Sequence, residues 1–410
     1  MTRVSRPGRG WIPRSTQEFG RASAITDAAG SLRMTKKMTL QDLETPAALV
    51  DVERMEGNLR RAAEYCGAHG IDWRPHAKTH KTPELAAEQV RLGAVGVTVA
   101  TPREAEVMAA AVDDILLAYP PFGASKLERL MRLPEHVRLT VGLDSVEALA
   151  ALAEAARRAG RTTGVLVELD AGMGRVGLGS PEHAVELARR ASGTPGVEYR
   201  GIMFYPGHIR GPVGEQDEAL AALDARLAER IAALADAGLR PAVVSGGSTP
   251  TFWRSHEVAG ITELRPGTNI FNDRTTAEIG ACAWDECAYS VLATVVSTAV
   301  AGQAVVDAGS KALAKEELRA TGGGYGALLE HPEVVVKAVS EEHGLLDLSG
   351  TDWLPRVGDR VRIVPNHVCV SVNLQERLWG VRGEEVAAEW EIAGRGRAPW
   401  VARAQAAAIG

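Results

Sequence analysis

A lysine that lies between two histidines gives the clearest sign of chemistry in this sequence. The segment reads His76-Ala77-Lys78-Thr79-His80 and follows a short apolar stretch. Neighbouring positive charge disfavours the ammonium form of a lysine, and the neutral amine is the form that attacks a carbonyl carbon. We therefore predict that Lys78 forms a Schiff base, with His76 and His80 as candidate catalytic bases. The alternative is a surface loop rich in basic residues.

Two glycine-containing loops offer a place for a phosphate group. Glycine lets backbone N–H groups approach an anion, and hydroxyl side chains add hydrogen-bond donors, although either loop alone could be an ordinary turn. The candidate phosphate ligands are Gly246, Gly247, Ser248, Thr249, Gly267, Thr268 and Asn269. A phosphate site together with an activated lysine predicts pyridoxal phosphate as cofactor. An aldolase that binds a phosphorylated sugar through its lysine fits the same two features.

A histidine and a cysteine two positions apart form a candidate metal site. His367 and Cys369 follow the strand-like segment at 360–364, and in an extended chain side chains at this spacing lie on one face. A thiolate favours zinc over manganese or magnesium, and two protein ligands leave positions open for water and substrate. The alternative is a buried cysteine beside a hydrogen-bonded histidine. The second domain that carries this pair distinguishes a pyridoxal phosphate enzyme from the sugar-phosphate aldolase.

The segments that must position these residues alternate between strand-like and helix-like patterns from Thr45 onward. Eight strand candidates follow the first apolar piece, beginning near Ile71, Val95, Ile115, Val137, Val165, Tyr199, Ala242 and Ile261. This alternation indicates parallel βα units, and eight of them close a TIM (β/α)8 barrel, with a doubly wound open sheet as the alternative. Active sites of barrels lie at the carboxyl ends of the strands. Lys78 and both glycine loops are therefore predicted on one face.

The pattern changes beyond about residue 282 to strands separated by glycine and polar turns, which predicts a second, mostly antiparallel β domain. We expect the barrel over 52–275 and a frayed tail over 396–410. Residues 1–37 carry eight Arg or Lys, two acids and no apolar period, which predicts a disordered leader. Met34 or Met38 could equally be the true start of the protein.

Composition restricts the class of protein. The net charge is −6 and no basic patch occurs outside the leader, so we expect no nucleic acid partner. We expect no membrane insertion, because no run of about 18 apolar residues occurs. The four cysteines fit neither a disulfide framework nor a zinc module, which predicts a reducing, cytoplasmic compartment. Three of them, Cys66, Cys282 and Cys287, are assigned no chemistry.

Taken together, the chain resembles the fold-type III pyridoxal phosphate enzymes of the D-serine dehydratase and D-threonine aldolase group, which are related to alanine racemase. The resemblance covers about residues 45–390 and rests on the segments 45–51, 74–81, 167–177, 205–208, 245–251, 266–269 and 365–369. It implies that Lys78 binds the cofactor, that Arg175 and Tyr205 lie near its ring, and that His367 and Cys369 hold the metal. It also implies a homodimer and a β domain that comprises 38–51 and 276–395.

The metal pair separates the two activities of that group. Its dehydratases typically have His-x-Cys and bind zinc, whereas its aldolases typically have His-x-Asp and prefer manganese. Cys369 therefore favours a D-serine dehydratase-like lyase for β-hydroxy D-amino acids, in which Lys78 removes the Cα proton and the metal activates the β-hydroxyl as leaving group. The products are a keto acid and ammonia. The alternative is a D-threonine or 3-hydroxy-D-aspartate aldolase, which gives glycine and an aldehyde.

Two interpretations from other classes remain at this point. A racemase needs a second base, for which Tyr325 or Tyr289 could serve. A non-catalytic carrier of pyridoxal phosphate normally lacks a second domain, so the segment beyond the barrel and its metal pair disfavour it.

Overall fold

Two β-sheets contain all the named strands of the part that the computed structural model describes, residues 37–318 and 323–400. One sheet has eight parallel strands and the other has nine strands that are mostly antiparallel. The predicted disordered leader, apart from Lys37, and residues 401–410 lie outside the described residues. The described residues from Met38 onward form one unit by their contacts, so the predicted domain boundaries stay a prediction.

The parallel sheet is the predicted barrel. Strand β1 (Ala47–Asp51) belongs to the second sheet, and the barrel strands are β2 (Asp72–Trp73), β3 (Val97–Val99), β4 (Asp114–Leu117), β5 (Arg138–Leu143), β6 (Thr163–Leu169), β7 (Val197–Phe204), β8 (Val243–Gly246) and β9 (Glu263–Leu264). They pair in the order β2-β9-β8-β7-β6-β5-β4-β3. Backbone hydrogen bonds of 2.8 Å from Val95 to Trp73 and from Ala77 to Thr98 join β2 to β3 and close the ring. The barrel prediction is confirmed, and each strand begins within two residues of its predicted start.

The parallel strands are buried on both faces, which is why they read as apolar runs in the sequence. All seven residues of β6 and all four of β4 are buried. The outer faces pack against surrounding helices through apolar side chains such as Leu152, Leu187 and Leu223. Full burial of each such leucine contributes about 1.5–3 kcal/mol to stability.

The helices follow the strands on the outside of the barrel, and polar side chains cap several of them. Thr101, Ser145 and Ser180 each accept a hydrogen bond from a backbone N–H of the first turn. The helices are α1 (Val52–His69), α2 (Pro83–Arg91), α3 (Pro102–Met108), α4 (Ala124–Met131), α5 (Val146–Arg158), α6 (Pro181–Gly193), α7 (Asp217–Asp236), α8 (Arg274–Glu278), α9 (Ser310–Leu313) and α10 (Val368–Leu374). None of these described helices is long and apolar enough to cross a membrane.

The second sheet combines the first strand of the chain with strands from its last third. Its members besides β1 are β10 (Tyr289–Ser297), β11 (Gln303–Val306), β12 (Gly326–Leu328), β13 (Val336–Val339), β14 (Gly344–Asp347), β15 (Arg360–Pro365), β16 (Arg377–Arg382) and β17 (Glu385–Glu391). Strand β1 pairs antiparallel with β10 and parallel with β16. The sequence pattern did not predict β12, β14, β16 and β17. Strands β12 and β14 have three and four residues, and Trp390 is the one buried residue of β17, so these three strands lack a clear apolar pattern.

The segment after β17 differs from the frayed tail predicted from residue 396. Arg103 donates to the carbonyl of Pro399 at 3.0 Å, and Arg129 donates to the carbonyl of Arg397 at 3.0 Å. The backbone N–H of Trp400 donates to Glu106 at 2.7 Å, and the Trp400 ring packs on the apolar cluster of the barrel. Residues up to 400 are thus bound to α3 and α4, because side chains of these helices satisfy their backbone carbonyls.

Candidate functional site

A cavity of about 490 Å³ lies at the carboxyl ends of the barrel strands, beside the second sheet. It is lined by most of the site residues that the sequence predicts: His76, Lys78, Arg175, Tyr205, Gly247, Ser248, Thr249, Gly267, Thr268 and His367. Residues far apart in sequence therefore meet because parallel strands end at one face of the barrel. Of the remaining predicted residues, Cys369 lies next to His367, whereas His80, Gly246 and Asn269 do not line this cavity.

Lys78 is the lysine among the residues that line the cavity. Its Nζ lies 5.7 Å from the centroid of the Tyr205 ring, and the guanidinium carbon of Arg175 lies 4.9 Å from the same centroid. Both cations are thus within reach of the negative face of one aromatic ring. Arg175 forms no hydrogen bond or ion pair with the other described residues, so its guanidinium is available to an anionic ligand.

The two histidines beside Lys78 differ in position but are both held neutral. His76 lines the cavity, and burial, reinforced by the charges of Lys78 and Arg265, lowers its pKa well below the usual value. His80 is fully buried away from the cavity, and burial lowers its pKa to about 4. Like charge on these histidines, which motivated the sequence prediction, is therefore absent, and Arg175 is the positive neighbour.

The prediction that His80 is a catalytic base does not agree with its position in the structure. Its Nδ1 accepts a hydrogen bond from the backbone N–H of Thr82 at 3.1 Å, so its Nε2 carries the proton and donates to Gln89 at 3.3 Å. Both ring nitrogens are occupied, and the ring lies in the protein interior. His80 is a structural residue beneath the lysine segment.

A hydrogen-bonded turn presents Arg175 to the cavity. One carboxylate oxygen of Asp170 accepts hydrogen bonds of 3.0 Å from the N–H groups of Gly172, Met173 and Gly174. Partial burial acts to raise the pKa of Asp170, but these three donors outweigh it and lower the pKa. The glycines of this segment therefore wrap around a charged carboxylate and fix the start of the turn that ends at Arg175.

The predicted phosphate loops form one wall of the cavity. Gly247 has a φ of +84°, a conformation that favours glycine. A Cβ on Gly267 would lie 3.0 Å from the carbonyl of His76 and from the hydroxyl of Thr79, so the loop approaches the lysine segment too closely for a side chain. Ser248, Thr249 and Thr268 add hydroxyl groups.

Two residues predicted as phosphate ligands have other surroundings. A Cβ on Gly246 would lie 2.1 Å from the ring of Phe204, so this glycine makes room for packing inside the barrel. Asn269 is buried and lines a separate, smaller cavity with Asn58 and Arg61. The prediction took every polar or glycine residue of the loops, but alternate residues of such a loop face in different directions.

His367 and Cys369 lie together, although not on an extended chain as predicted. Strand β15 ends at Pro365, His367 caps α10, and Cys369 lies in the first helical turn. The two side chains lie close enough to shift each other's pKa, and the Cys369 sulfur lies 3.2 Å from the Thr79 hydroxyl. Among the described residues no group of three His, Cys, Asp or Glu side chains could hold a metal ion.

A buried carboxylate orients the histidine of the pair. Asp273 accepts hydrogen bonds from His367 Nδ1 at 3.2 Å and from the N–H of Val368 at 3.1 Å. Its other oxygen accepts from the N–H of Thr276 and caps α8. A carboxylate in this position fixes the ring and the tautomer of a metal-binding histidine. Nε2 of His367 is thereby left for a metal ion.

Each member of this pair shifts the pKa of the other, and a metal ion at the pair would replace the proton that the imidazole carries. Burial acts to raise the pKa of the Cys369 thiol, but the His367 charge outweighs it and lowers the pKa to about 7. Burial likewise acts to lower the pKa of His367, but the Cys369 thiolate and Asp273 raise it well above its usual value. A thiolate beside an oriented imidazole is a suitable pair of zinc ligands.

Three functional candidates escaped the sequence prediction: Glu168, Arg265 and Asp273. Glu168 lines the cavity with one carboxylate oxygen that has no hydrogen-bond partner, and burial raises its pKa. Arg265 is fully buried and donates to the carbonyls of Ser245 and Phe204 at 2.9 and 2.8 Å. For Glu168 and Arg265, the signal available in the sequence was a charged residue at the end of an apolar strand. An Asp three residues before Thr276 signalled only a helix start.

The two tyrosines considered as racemase bases do not line the cavity. The hydroxyl of Tyr289 is buried and lies 2.9 Å from the Ser371 hydroxyl. The hydroxyl of Tyr325 donates to Glu317 at 2.9 Å. Neither hydroxyl faces Lys78 across the cavity, so the described residues lend the racemase no support.

Comparison with known families and proteins agrees with this geometry. Residues 50–275 match the family "Alanine racemase, N-terminal domain", and residues 288–381 match "Putative serine dehydratase domain". The chain is 32% identical to a 3-hydroxy-D-aspartate aldolase of Paracoccus denitrificans, over 88% of this chain and 94% of that protein. It is 36% identical to a D-threo-3-hydroxyaspartate dehydratase of a Delftia species, over 81% of this chain and 93% of that protein.

Solved structures of similar proteins share the whole fold. A D-threonine aldolase from Filomicrobium marinum superposes with a TM-score of 0.81 at 33% identity, over 88% of this chain and 97% of that one. Two structures of D-threo-3-hydroxyaspartate dehydratase carry alanine in place of a histidine or of a cysteine two positions later, the latter in a metal-free form. The chain belongs to the fold-type III pyridoxal phosphate lyases, in the group that contains D-threonine aldolase and D-serine dehydratase.

Proposed function

We propose that this protein is a zinc-dependent dehydratase of β-hydroxy D-amino acids, which releases a keto acid and ammonia. The observation that carries the proposal is the position of Cys369, whose sulfur lies next to His367 and 3.2 Å from Thr79, the residue after Lys78. The metal pair and the reactive lysine thus act on one substrate. D-serine and 3-hydroxy-D-aspartate are the proposed substrates, and a homodimer is the proposed assembly on the strength of the family resemblance.

The residues of the cavity fit pyridoxal phosphate. The two loops at Gly247–Thr249 and Gly267–Thr268 present glycines and hydroxyls on one wall, and Gly267 leaves space that a Cβ would fill. Two polar groups have no hydrogen-bond partner among the described residues: one oxygen of Glu168 and the guanidinium of Arg175. A polar ligand in the cavity would supply that partner. When bound, this cofactor supplies an aldehyde for the substrate amine and an electron sink for the bond that breaks at Cα.

Lys78 binds the cofactor and then moves the Cα proton of the substrate. Its Nζ lies above Tyr205, which limits where the amine can reach. Arg175 binds the substrate carboxylate, because its guanidinium lines the cavity without a partner among the described residues. General base catalysis of this kind contributes about 10²–10⁴-fold to the rate.

His367 and Cys369 hold the zinc, and Asp273 keeps the imidazole oriented toward it. A metal bound there would supply a Lewis acid for the β-hydroxyl, which leaves as water. A thiolate ligand favours zinc over manganese, which is the alternative metal. Loss of water at Cα and Cβ leaves an enamine that hydrolyses in solution to the keto acid and ammonia.

An aldolase is the second candidate, and one observation favours it. His76 lines the cavity and is held neutral by burial, so it could accept the proton of a β-hydroxyl and start cleavage between Cα and Cβ. Similar proteins include enzymes that are named for this reaction. Glycine and an aldehyde would be the products.

Product analysis on the purified protein tests the proposal. We expect D-serine or 3-hydroxy-D-aspartate to yield keto acid and ammonia with pyridoxal phosphate and zinc, and to yield neither after chelation. Lys78→Ala should lose about 10²–10⁴-fold in kcat. Lys311→Ala, which changes an exposed lysine paired with Glu341, is the matched control and should keep full activity. Glycine plus an aldehyde would identify the aldolase, and no product at all would overturn both.

A further inference from the structure

The second lysine of the segment, Lys81, has no part in the cavity. It lies three residues after Lys78, and its side chain is only 14% exposed. Its φ of +55° is uncommon for a residue with a side chain. Lys81 is partly buried and has an unusual backbone conformation close to the reactive lysine, and its contacts explain both features.

The ammonium group of Lys81 connects the barrel to the second domain. Its Nζ donates to Asn373 of α10 at 2.6 Å and pairs with Glu104 of α3 at 3.4 Å. Glu104 is buried, and its other oxygen accepts from the N–H of Ala100, which lines the cavity. The carbonyl of Lys81 accepts from the N–H of Gly394 at 2.9 Å. Lys81 thus contacts α10 and the segment after β17 directly, and it reaches Ala100 of the cavity wall through Glu104.

These contacts link the reactive lysine to the metal pair. Asn373 lies four residues after Cys369 on α10, so both side chains lie on the same side of that helix. Thr79 contacts Cys369 at 3.2 Å, and Lys81 contacts Asn373 at 2.6 Å. The segment that follows Lys78 is therefore attached to α10 at two points, one turn apart on the helix.

We propose that Lys81 is a positioning residue that sets the place of Lys78 relative to the metal held by His367 and Cys369. The proposal rests on the proposed cofactor and metal sites but not on the identity of the substrate. Lys81 touches neither the cavity nor the metal pair, so it acts through Asn373 and Glu104. Because one attachment serves both sites, zinc binding and pyridoxal phosphate binding should favour each other.

Binding measurements on the full chain test this coupling. The dissociation constant of zinc is measured by titration calorimetry with and without pyridoxal phosphate. We expect the cofactor to tighten zinc binding about 5–150-fold in the unaltered protein. In Lys81→Met the factor should fall below about twofold, and kcat should fall while KM stays constant, whereas Lys81→Arg should restore most of the coupling.

Two further variants separate positioning from stability. Asn373→Leu removes the acceptor on α10 but keeps the Lys81–Glu104 pair, so it should lose the coupling even if Lys81→Met folds poorly. Arg129→Met breaks another partly buried pair of the barrel, with Glu106, and should keep the coupling. Full coupling in Asn373→Leu, or an equal loss in Arg129→Met, would overturn the proposal. If the variants lose the coupling as expected but the unaltered protein shows no lyase activity, the proposed function is overturned and the positioning role of Lys81 stands.

Discussion

The barrel keeps His76 and His80 uncharged, whereas the second domain favours the charged form of His367. His76 and His80 are both buried, and burial lowers the pKa of both, reinforced at His76 by the positive charges of Lys78 and Arg265. His367 is half-buried, and the negative charge of Cys369 and Asp273 raises its pKa against the effect of that burial. Burial therefore does not decide the charge of a histidine by itself. The carboxylate and thiolate mark the half of the site where we propose that a cation binds, and the glycine loops mark the half where we propose that the phosphate binds.

The largest expected effect is the dependence of the protein's stability on pH, which tests whether His80 is uncharged in the folded protein. The pKa of His80 is about 4 in the folded protein and about 6.5 when unfolded, so only the unfolded chain gains this proton between those values. Stability is therefore lost as pH falls from 6.5 to 4, by about 3 kcal/mol for this group. Urea unfolding of the metal-free protein at pH 7 and pH 4 measures it.

His80→Gln is the matched variant for that measurement, because glutamine keeps a polar group beside Gln89 without titrating. The difference in stability between pH 7 and pH 4 should be smaller in the variant than in the unaltered protein. An equal pH dependence in both proteins would show that His80 is charged in the fold, and the contrast with His367 would fail.

The next effect concerns the carboxylate of the metal half. Asp273→Asn keeps a side-chain oxygen that can cap α8 but removes the negative charge that orients His367. We expect zinc affinity to fall about 10–100-fold, as for other groups that orient a metal ligand. Calorimetry in the absence of pyridoxal phosphate measures the loss.

Asp170→Asn is the corresponding change in the barrel, since Asp170 holds the turn that leads to Arg175. It should leave zinc affinity unchanged while weakening cofactor or substrate binding. Equal losses of zinc affinity in both variants would mean that the two halves are not separate in the way that their geometry indicates.

The smallest expected effect is the change in zinc affinity when Cys282, a cysteine near the metal pair, is replaced. Cys282 lies 3.6 Å from the Thr276 hydroxyl, close to the metal half, but it does not contact His367 in the described residues. Cys282→Ser should therefore change zinc affinity by less than about twofold, within the small effects expected away from the ligands. A tenfold loss would make Cys282 part of the metal site.

The barrel was readable from the sequence because its strands are buried on both faces. Strands such as β4 and β6 are mostly apolar, and their starts agree with prediction within two residues. Strand β17 exposes most of its charged residues, and β12 has only three residues, so neither gives a periodic signal. Pairing partners on the second sheet, not local pattern, determine these strands.

The site was partly readable for the same reason. Lys78 and the glycine loops follow recognisable strands, so their common face followed from the fold class. The orientation of a side chain within a loop depends on tertiary contacts, which is why His80 and Asn269 were assigned to the wrong environment. Asp273 was missed because a helix cap and a carboxylate that orients a ligand look alike in sequence.

Strand β1 has a consequence for how the protein is made. It is synthesised before the entire barrel, yet Leu49 pairs with Ser290 about 240 residues later and with Trp379 about 330 residues later. At about 5–20 residues per second on the ribosome, the strand waits roughly 20–70 s for its last neighbour. Its apolar residues and unpaired edges are exposed to other nascent chains during that time. The order of translation, and not only the finished contacts, therefore makes this first strand the place where chaperone protection matters most.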